Sequence, residues 1–439
     1  MRISVLGCGY LGAVHAAGLA AMGHDVVGID TDPEKVEHLT EGRAPFYEPG
    51  LTELLVGAQA TGRLAFTTDP ARAAGSTVHF VCVGTPQRAG QDAADLSFVD
   101  AALDGLMPHL APGDVVVGKS TVPVGTAEVL AGRLRDRVPG ATLVWNPEFL
   151  REGCAVQDTL QPDRIVLGLS DDEAGHRAQR TLCAVYASAL AAGAPLIVTD
   201  YATAQLVKVA ANAFLATKIS FINAMAEMCD ATGGDVVELA AAIGADARIG
   251  RQFLRAGIGF GGGCLPKDIR GFMARAGELG LARELTFLRE VDGINLRRRP
   301  RTVDLAREEC GGDLSGRRVA VLGAAFKPDS DDVRDSPALD IALRLSQAGA
   351  EVVVADPQAV ENARRRLPDV KYAESAEQAA AEADLVLLLT EWPEYVSLDP
   401  HALGAVVGER RILDGRNALD PVAWRAAGWH YRALGRRLT

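Results

Sequence analysis

The chain has no excess of positive charge. Its 439 residues carry 45 Lys and Arg against 57 Asp and Glu, a formal net charge of −12. Nucleic-acid and anionic-membrane binding both need a basic surface, so neither is expected as the main role. A local basic cleft for a small anionic substrate stays compatible with this balance. Cysteine is scarce as well. The seven cysteines, at 8, 82, 154, 183, 229, 264 and 310, show no CxxC spacing and no Cys/His cluster. That pattern argues against a secreted disulfide framework and against a metal site, and no metal is expected. Low-complexity tracts are absent. No apolar run approaches the length needed to span a bilayer. The N-terminus, Met1-Arg2-Ile3-Ser4-Val5-Leu6, runs into a glycine motif as a strand does, without a leader's cleavage pattern. The expectation is a soluble, reduced, cytoplasmic protein. Length sets a prior of two or three domains, and 48% hydrophobic residues suffice for sizeable cores.

What is present centres on Phe260-Gly261-Gly262-Gly263-Cys264-Leu265-Pro266-Lys267-Asp268. Consecutive glycines allow close backbone approach and φ angles that other residues avoid. If Leu265 to Asp268 open a helix, Cys264 lies at its positive end, where a thiolate is favoured. A thiolate attacks carbonyl carbon. The competing reading is a buried structural cysteine after a glycine turn.

Residues 2–6 end at Gly7-Cys8-Gly9-Tyr10-Leu11-Gly12, a GxGxxG. An alanine-rich helix and a second strand, Asp25-Val26-Val27-Gly28-Ile29-Asp30, follow. This is a βαβ unit with an acidic residue closing its second strand. Gly7 makes the tight turn, Gly9 lets a pyrophosphate approach backbone N–H groups, and Gly12 permits close helix–strand packing. Asp30 suits ribose hydroxyls and repels a 2′-phosphate, so NAD is expected over NADP. Lys35 either reaches the adenosine end or is a solvated helix lysine. The strands Thr77–Val83 and Asp114–Lys119 lead to Gly84-Thr85-Pro86 and Ser120-Thr121-Val122-Pro123. Ligands sit beyond carboxyl strand ends in such sheets, so Thr85 and Thr121 are candidate contacts, unless they merely cap helices. Next, Thr142–Trp145 runs into Asn146-Pro147-Glu148-Phe149-Leu150-Arg151-Glu152. Glu148 and Glu152 either line the pocket or begin a solvated helix. Asp163–Gly168 reads as an edge strand closing the first domain.

From Thr199 to about Asp230 the pattern is one long helix bridging two domains. Lys208 and Asn212 share a face among apolar neighbours. A lysine in an apolar stripe must be paired or functional. A second α/β unit starts at Arg317 and repeats the order strand, turn, helix, Gly, strand, Asp, ending at Asp356. It lacks GxGxxG. Its turn carries Lys327 and Arg334, cations suited to the phosphate of a different nucleotide. The fold class expected is α/β, with two Rossmann-like doubly wound domains joined by a long central helix and a helical dimerisation region. The boundaries are 1–198, 199–300 and 301–439.

One domain for a dinucleotide, one for a second phosphate-bearing ligand, and a cysteine loop make a coherent chemistry. An alcohol dehydrogenase needs no thiol. A thiol becomes useful when an aldehyde is oxidised further, through a tetrahedral adduct and then a thioester that water hydrolyses.

The ordered motifs resemble the UDP-glucose/GDP-mannose dehydrogenase family of nucleotide-sugar dehydrogenases over essentially the whole chain. They are GCGYLG at 7–12, VGTP at 83–86, STVPVGT at 120–126, NPEFLREG at 146–153, LVKVAANAF at 206–214, FGGGCLPKD at 260–268 and AFKPDSDDVRDS at 325–336. The resemblance implies UDP-glucose oxidised to UDP-glucuronate in two NAD-dependent steps. GDP-mannose or a UDP-N-acetylhexosamine would undergo the same chemistry. It implies Cys264 as nucleophile, and Lys208 and Asn212 as stabilisers of charge on the sugar oxygen. Thr121, Glu148 and Asp268 would order a water, with Glu148 aiding its attack. Gly7, Gly9, Tyr10, Leu11, Gly12, Asp30, Lys35, Thr85, Thr121 and Arg334 fall to NAD, and Glu152 to cofactor and substrate alike. Phe149, Leu150, Arg151, Phe253, Leu254, Arg255, Ala256, Gly257, Gly261, Lys327 and Arg416 fall to the nucleotide sugar. Arg248 would reach a neighbouring subunit's substrate, implying a homodimer through the long helix. Two rival classes are a single-step 3-hydroxyacid dehydrogenase, which has no use for Cys264, and a non-catalytic NAD-binding scaffold.

Overall fold

Short apolar runs rich in valine, isoleucine and leucine become strands, most of them buried on both faces, the pattern of parallel sheets covered by helices. In order they are β1 (Arg2–Leu6), β2 (Asp25–Ile29), β3 (Leu64–Thr67), β4 (Val78–Val81), β5 (Val115–Gly118), β6 (Thr142–Trp145), β7 (Ile165–Gly168) and β8 (Leu196–Thr199). The computed structural model describes residues 1–437. These eight strands form one sheet of order β3-β2-β1-β4-β5-β6-β7-β8, parallel except where β6 meets β7. The strand order reverses between β1 and β4, which opens a ligand crevice beyond their carboxyl ends. Packing is tight enough to dictate residue type. A Cβ on Gly118 would lie 2.2 Å from the ring of buried Trp145, so β5 yields that volume to the indole.

A second sheet holds β9 (Arg318–Leu322), β10 (Glu351–Ala355), β11 (Lys371–Ala373), β12 (Leu385–Leu388), β13 (Arg411–Asp414) and β14 (His430–Ala433). Its order is β11-β10-β9-β12-β13-β14, parallel throughout. The first six strands of the first sheet follow the same doubly wound order. The fold is therefore mixed α/β with two parallel-sheet units.

The chain divides into two compact units. One is Met1–Ala211 with Arg270–Gly280, and the other is Asn212–Ile269 with the chain from Leu281 onward. A long helix, Tyr201–Thr232, supplies residues to both. Among the described residues it is the one helix long and apolar enough, by length and composition, to cross a membrane, with 44% of that stretch buried in the fold. This corrects the expectation that no run approaches that length. Lys208 and Lys218 are its only charges before Glu227, and alanines raise its hydropathy without forming an obvious apolar block.

A second correction concerns the edge of the first sheet. The stretch read as an edge strand is β7, and β8 pairs outside it in parallel. β8 spans four residues, with Ile197 43% and Val198 42% exposed. Its short, half-solvated pattern merges in sequence with the start of the long helix.

Candidate functional site

The first loop is shaped by its glycines. Gly7 sits at φ +84°, and its N–H donates to Ile29 O at 2.8 Å. A Cβ on Gly12 would come within 1.7 Å of Gly7 O, so the helix Tyr10–Ala21 can approach β1 only with glycine there. Gly9 caps that helix without a side-chain hydrogen bond, and a Cβ on it would meet nothing within 4 Å. An open backbone face at a helix N-terminus is the cradle a pyrophosphate requires, and the residues present fit NAD. Asp30 Oδ2 accepts from Cys8 N at 2.7 Å, while Lys35 Nζ lies 3.1 Å from Asp30 Oδ1. Lys35 is thus half-buried against Asp30 and is not a solvated helix lysine. Tyr10 stacks on Phe46, and its hydroxyl accepts from Gly153 N at 2.9 Å. Leu11 packs at the margin of the same core.

Neither threonine caps a helix. Thr85 Oγ1 donates to Thr121 O at 2.7 Å, tying together the loops beyond β4 and β5. The helices after them start only at Ser97 and Thr126. Glu148 and Glu152 do not begin a helix either, because the next one is Ala155–Leu160. Lys208 is 5% exposed, and its Nζ lies 2.9 Å from Glu148 Oε1. Glu148 Oε2 also accepts from Leu150 N at 2.6 Å. Phe149 lies under two cations, Arg164 at 3.7 Å and Lys208 at 5.7 Å from its ring centre. Arg151 is an exposed partner of Asp158, and Glu152 is half-buried.

In the other unit, the helix Leu265–Glu278 starts directly after Cys264, whose carbonyl accepts from Asp268 N at 2.9 Å. Cys264 is exposed, so the buried structural reading fails. Four other thiols, Cys8, Cys82, Cys229 and Cys310, are buried. Burial pushes the pKa of each upward, that of Cys82 to about 12, which makes them poor nucleophiles. Asp268 is 3% exposed and accepts from Asn212 Nδ2 at 2.6 Å and from Lys267 Nζ at 2.7 Å.

The run into Cys264 is held mainly by side chains. Gly257 N donates to Asn223 Oδ1 at 2.8 Å, and Gly257 O accepts from Arg298 Nε at 3.0 Å. Asn295 accepts from Phe260 N at 2.7 Å and donates to Phe260 O at 3.0 Å. Two glycines there need to be glycines. A Cβ on Gly261 would come within 2.3 Å of Asp335 O, and Gly262 has φ +83° against the Phe326 ring. Upstream, Leu254 and Ala256 are buried, Arg255 pairs with Glu391, and exposed Phe253 adopts φ +62°.

The remaining cations of this unit differ in setting. Lys327 is half-buried, with Nζ 5.7 Å from the Phe326 ring centre. Arg334 is largely exposed, pairs with Asp332 at 2.6 Å and lies over Gly263, where a Cβ would meet its guanidinium at 2.4 Å. Arg416 donates to Leu389 O, Gly259 O and Phe326 O at 2.7–3.1 Å, so it staples the cysteine run to the second sheet. Arg248 is exposed and paired with Asp246 at 2.6 Å.

Sequence reasoning missed Glu48, whose buried carboxylate accepts from Gly153 N and Ala155 N at 2.6 and 2.7 Å. It also missed Lys119, Asn146, Asn295 and Arg298. A lysine closing the apolar strand Val115–Gly118 was a visible signal for the first of these.

Three family models match the chain: the NAD binding domain of the UDP-glucose/GDP-mannose dehydrogenase family over residues 1–189, its central domain over 202–297, and its UDP binding domain over 320–421. A UDP-glucose 6-dehydrogenase of Rhizobium meliloti is 41% identical over 439 residues, covering 99% of this chain and all of that one. The solved UDP-glucose dehydrogenase of Pyrobaculum islandicum superposes with a TM-score of 0.90 at 40% identity, covering 99% of this chain and 98% of its own. A UDP-D-ManNAc dehydrogenase of Pyrococcus horikoshii superposes with a TM-score of 0.85 at 29% identity over the whole of both chains.

Proposed function

This chain belongs to the UDP-glucose/GDP-mannose dehydrogenase family, an NAD-dependent nucleotide-sugar dehydrogenase, and from that premise we propose that it oxidises UDP-glucose to UDP-glucuronate. The balance is UDP-glucose, two NAD⁺ and water giving UDP-glucuronic acid, two NADH and two protons. NAD, when bound, supplies the hydride acceptor for both oxidations.

The chain's own residues do the rest. Cys264 adds through sulfur to the C6 aldehyde, and the adduct becomes a thioester on losing hydride. Lys208 and Asn212 stabilise the charge developing on the C6 oxygen. Glu148 takes a proton from the water that attacks the thioester, with Thr121 and Asp268 ordering that water. Lys327 recognises the nucleotide's phosphates. The observation that carries this reading is the exposure of Cys264 at a helix start, in a unit where Asp268 already grips Asn212.

The region 199–300 is proposed as a dimer interface. Phe214, Phe221 and Met228, seven residues apart on the long helix, are 67%, 49% and 56% exposed. A heptad stripe of this kind suits a second helix of the same sort. Side-by-side kcat/KM values on UDP-glucose, GDP-mannose and a UDP-N-acetylhexosamine test the substrate. A preference for either rival sugar moves the assignment and leaves the chemistry in place.

A further inference from the structure

Behind Glu148 lies a buried polar cluster that the proposed reaction does not use. Lys119, 7% exposed at the end of β5, donates to Asn146 Oδ1 at 3.0 Å and to Tyr186 Oη at 3.3 Å. Tyr186 in turn donates to Asn146 Oδ1 at 2.7 Å. Asn146 Nδ2 donates to Val166 O at 2.8 Å, and its backbone N–H to Gly118 O at 2.8 Å. Every polar group of Asn146 that reaches back into the sheet is therefore fixed.

The chain from that anchor to the carboxylate is short and stiff. Pro147 locks its own φ and restricts Asn146. Glu148 follows at once, held by Lys208 and by Leu150 N. Lys119 and Glu148 also line one cavity of about 50 Å³.

Among the described residues no carboxylate lies within ion-pair distance of Lys119. A buried ammonium without a counterion is costly, and a fold that served only packing would place an apolar residue there. Burial draws the pKa of Lys119 down to about 8, and Lys208 adds to that, while Cys82 and Glu148 oppose it. The other cations nearby are Lys208, already held by Glu148, and Arg164, which lines the cavity over the Phe149 ring. His15 lines the same cavity, and burial, then Lys119, hold its pKa well below the usual range. Burial raises the Tyr186 phenol.

We propose that Lys119, acting through Asn146 and Tyr186, is a positioning residue for Glu148 in the hydrolysis of the thioester. This rests on the reading of Glu148 as the base. In that step the water oxygen bonds to the acyl carbon, and the C–S bond breaks with its electron pair leaving on Cys264 sulfur. Glu148 takes the water proton, and no oxidant or reductant is required. Misplacing a base by about 1 Å costs on the order of 10²-fold. Loss of Lys119 should therefore slow hydrolysis alone.

The test is rapid mixing of full-length enzyme with NAD and UDP-glucose, following NADH absorbance and the mass of the protein. Glu148→Gln serves as the reference. It should show an NADH burst and a mass increase on Cys264 matching the UDP-glucuronyl thioester. Lys119→Met should show the same burst and adduct, with steady turnover reduced about 10- to 100-fold and the NAD Kd unchanged. Tyr186→Phe preserves volume, removes one donor to Asn146, and should give a smaller burst; it stands in if Lys119→Met fails to fold. An adduct in Glu148→Gln but in neither other variant overturns the positioning role. No adduct in Glu148→Gln overturns the base assignment itself.

Discussion

The loops after β1 and β9 begin alike and end differently. Gly7 and Gly323 both take positive φ, +84° and +110°, and their N–H groups donate to Ile29 O and Ala355 O, each at 2.8 Å. The aspartates closing the next strands, Asp30 and Asp356, both accept backbone N–H groups of the loop. There the likeness stops. The first loop starts a helix at Tyr10 with no side-chain hydrogen bond at its N-cap, Gly9. The second runs on to Ser336, whose Oγ accepts from Leu339 N at 3.3 Å and donates to Ala324 O at 2.7 Å, closing the helix that begins at Pro337. Asp356 is also walled in by Trp392 Nε1 at 3.1 Å. One topology thus gives an open anion cradle in one sheet and a sealed turn in the other. The sealed turn leaves no such cradle in the second sheet, and phosphate recognition there is the part proposed for the Lys327 side chain.

The sharpest way to break this comparison is at Gly12. Gly12→Val should raise the NAD Kd by more than about 10²-fold, because its side chain collides with Gly7 O. Titration calorimetry on a protein with a native circular dichroism spectrum checks this. Next come the paired aspartates. Asp30→Ala should weaken NAD by about 10- to 100-fold, the worth of a hydrogen bond to a charged group. Asp356→Ala should leave the NAD Kd unchanged and lower the melting temperature. Equal effects of the two on NAD would erase the distinction between the loops. Lys327→Met should raise KM for the nucleotide sugar about tenfold and leave KM for NAD alone, which steady-state kinetics in both substrates reports. Phe221→Glu should shift the mass in light scattering from dimer to monomer, with a smaller effect on kcat.

The last expected effect is on pH. Burial pushes the pKa of folded Lys119 down to about 8, from the 10.5 of an unburied lysine. Between those values the unfolded chain holds the proton that the native chain has lost, so stability should rise with pH across that window. Lys119→Met should remove the rise, as read from urea midpoints at a series of pH values.

The parts of the site visible in sequence are those whose requirements are local. Gly7, Gly9 and Gly12 serve one turn, and Asp30 closes the strand beside it. The helix after Cys264 is signalled within four residues. The doubly wound order of both sheets followed from the repeated strand–turn–helix–Gly–strand–Asp pattern. What stayed hidden depends on partners far apart in the chain. Glu48 reaches Gly153, Lys119 reaches Tyr186, and Asn295 reaches Phe260. No periodicity marks such pairs. β8 stayed hidden for a different reason, since a four-residue strand at a half-exposed edge carries too little pattern to separate from the helix after it.

The central claim is that one sulfur carries a sugar through two oxidations without releasing the aldehyde. The direct measurement is the NADH formed per UDP-glucose consumed, at limiting sugar and excess NAD. Two NADH for each sugar, with UDP-glucuronate as the product and no turnover to acid in Cys264→Ala, is the predicted result. One NADH for each sugar, or acid formed at the normal rate by Cys264→Ala, contradicts it.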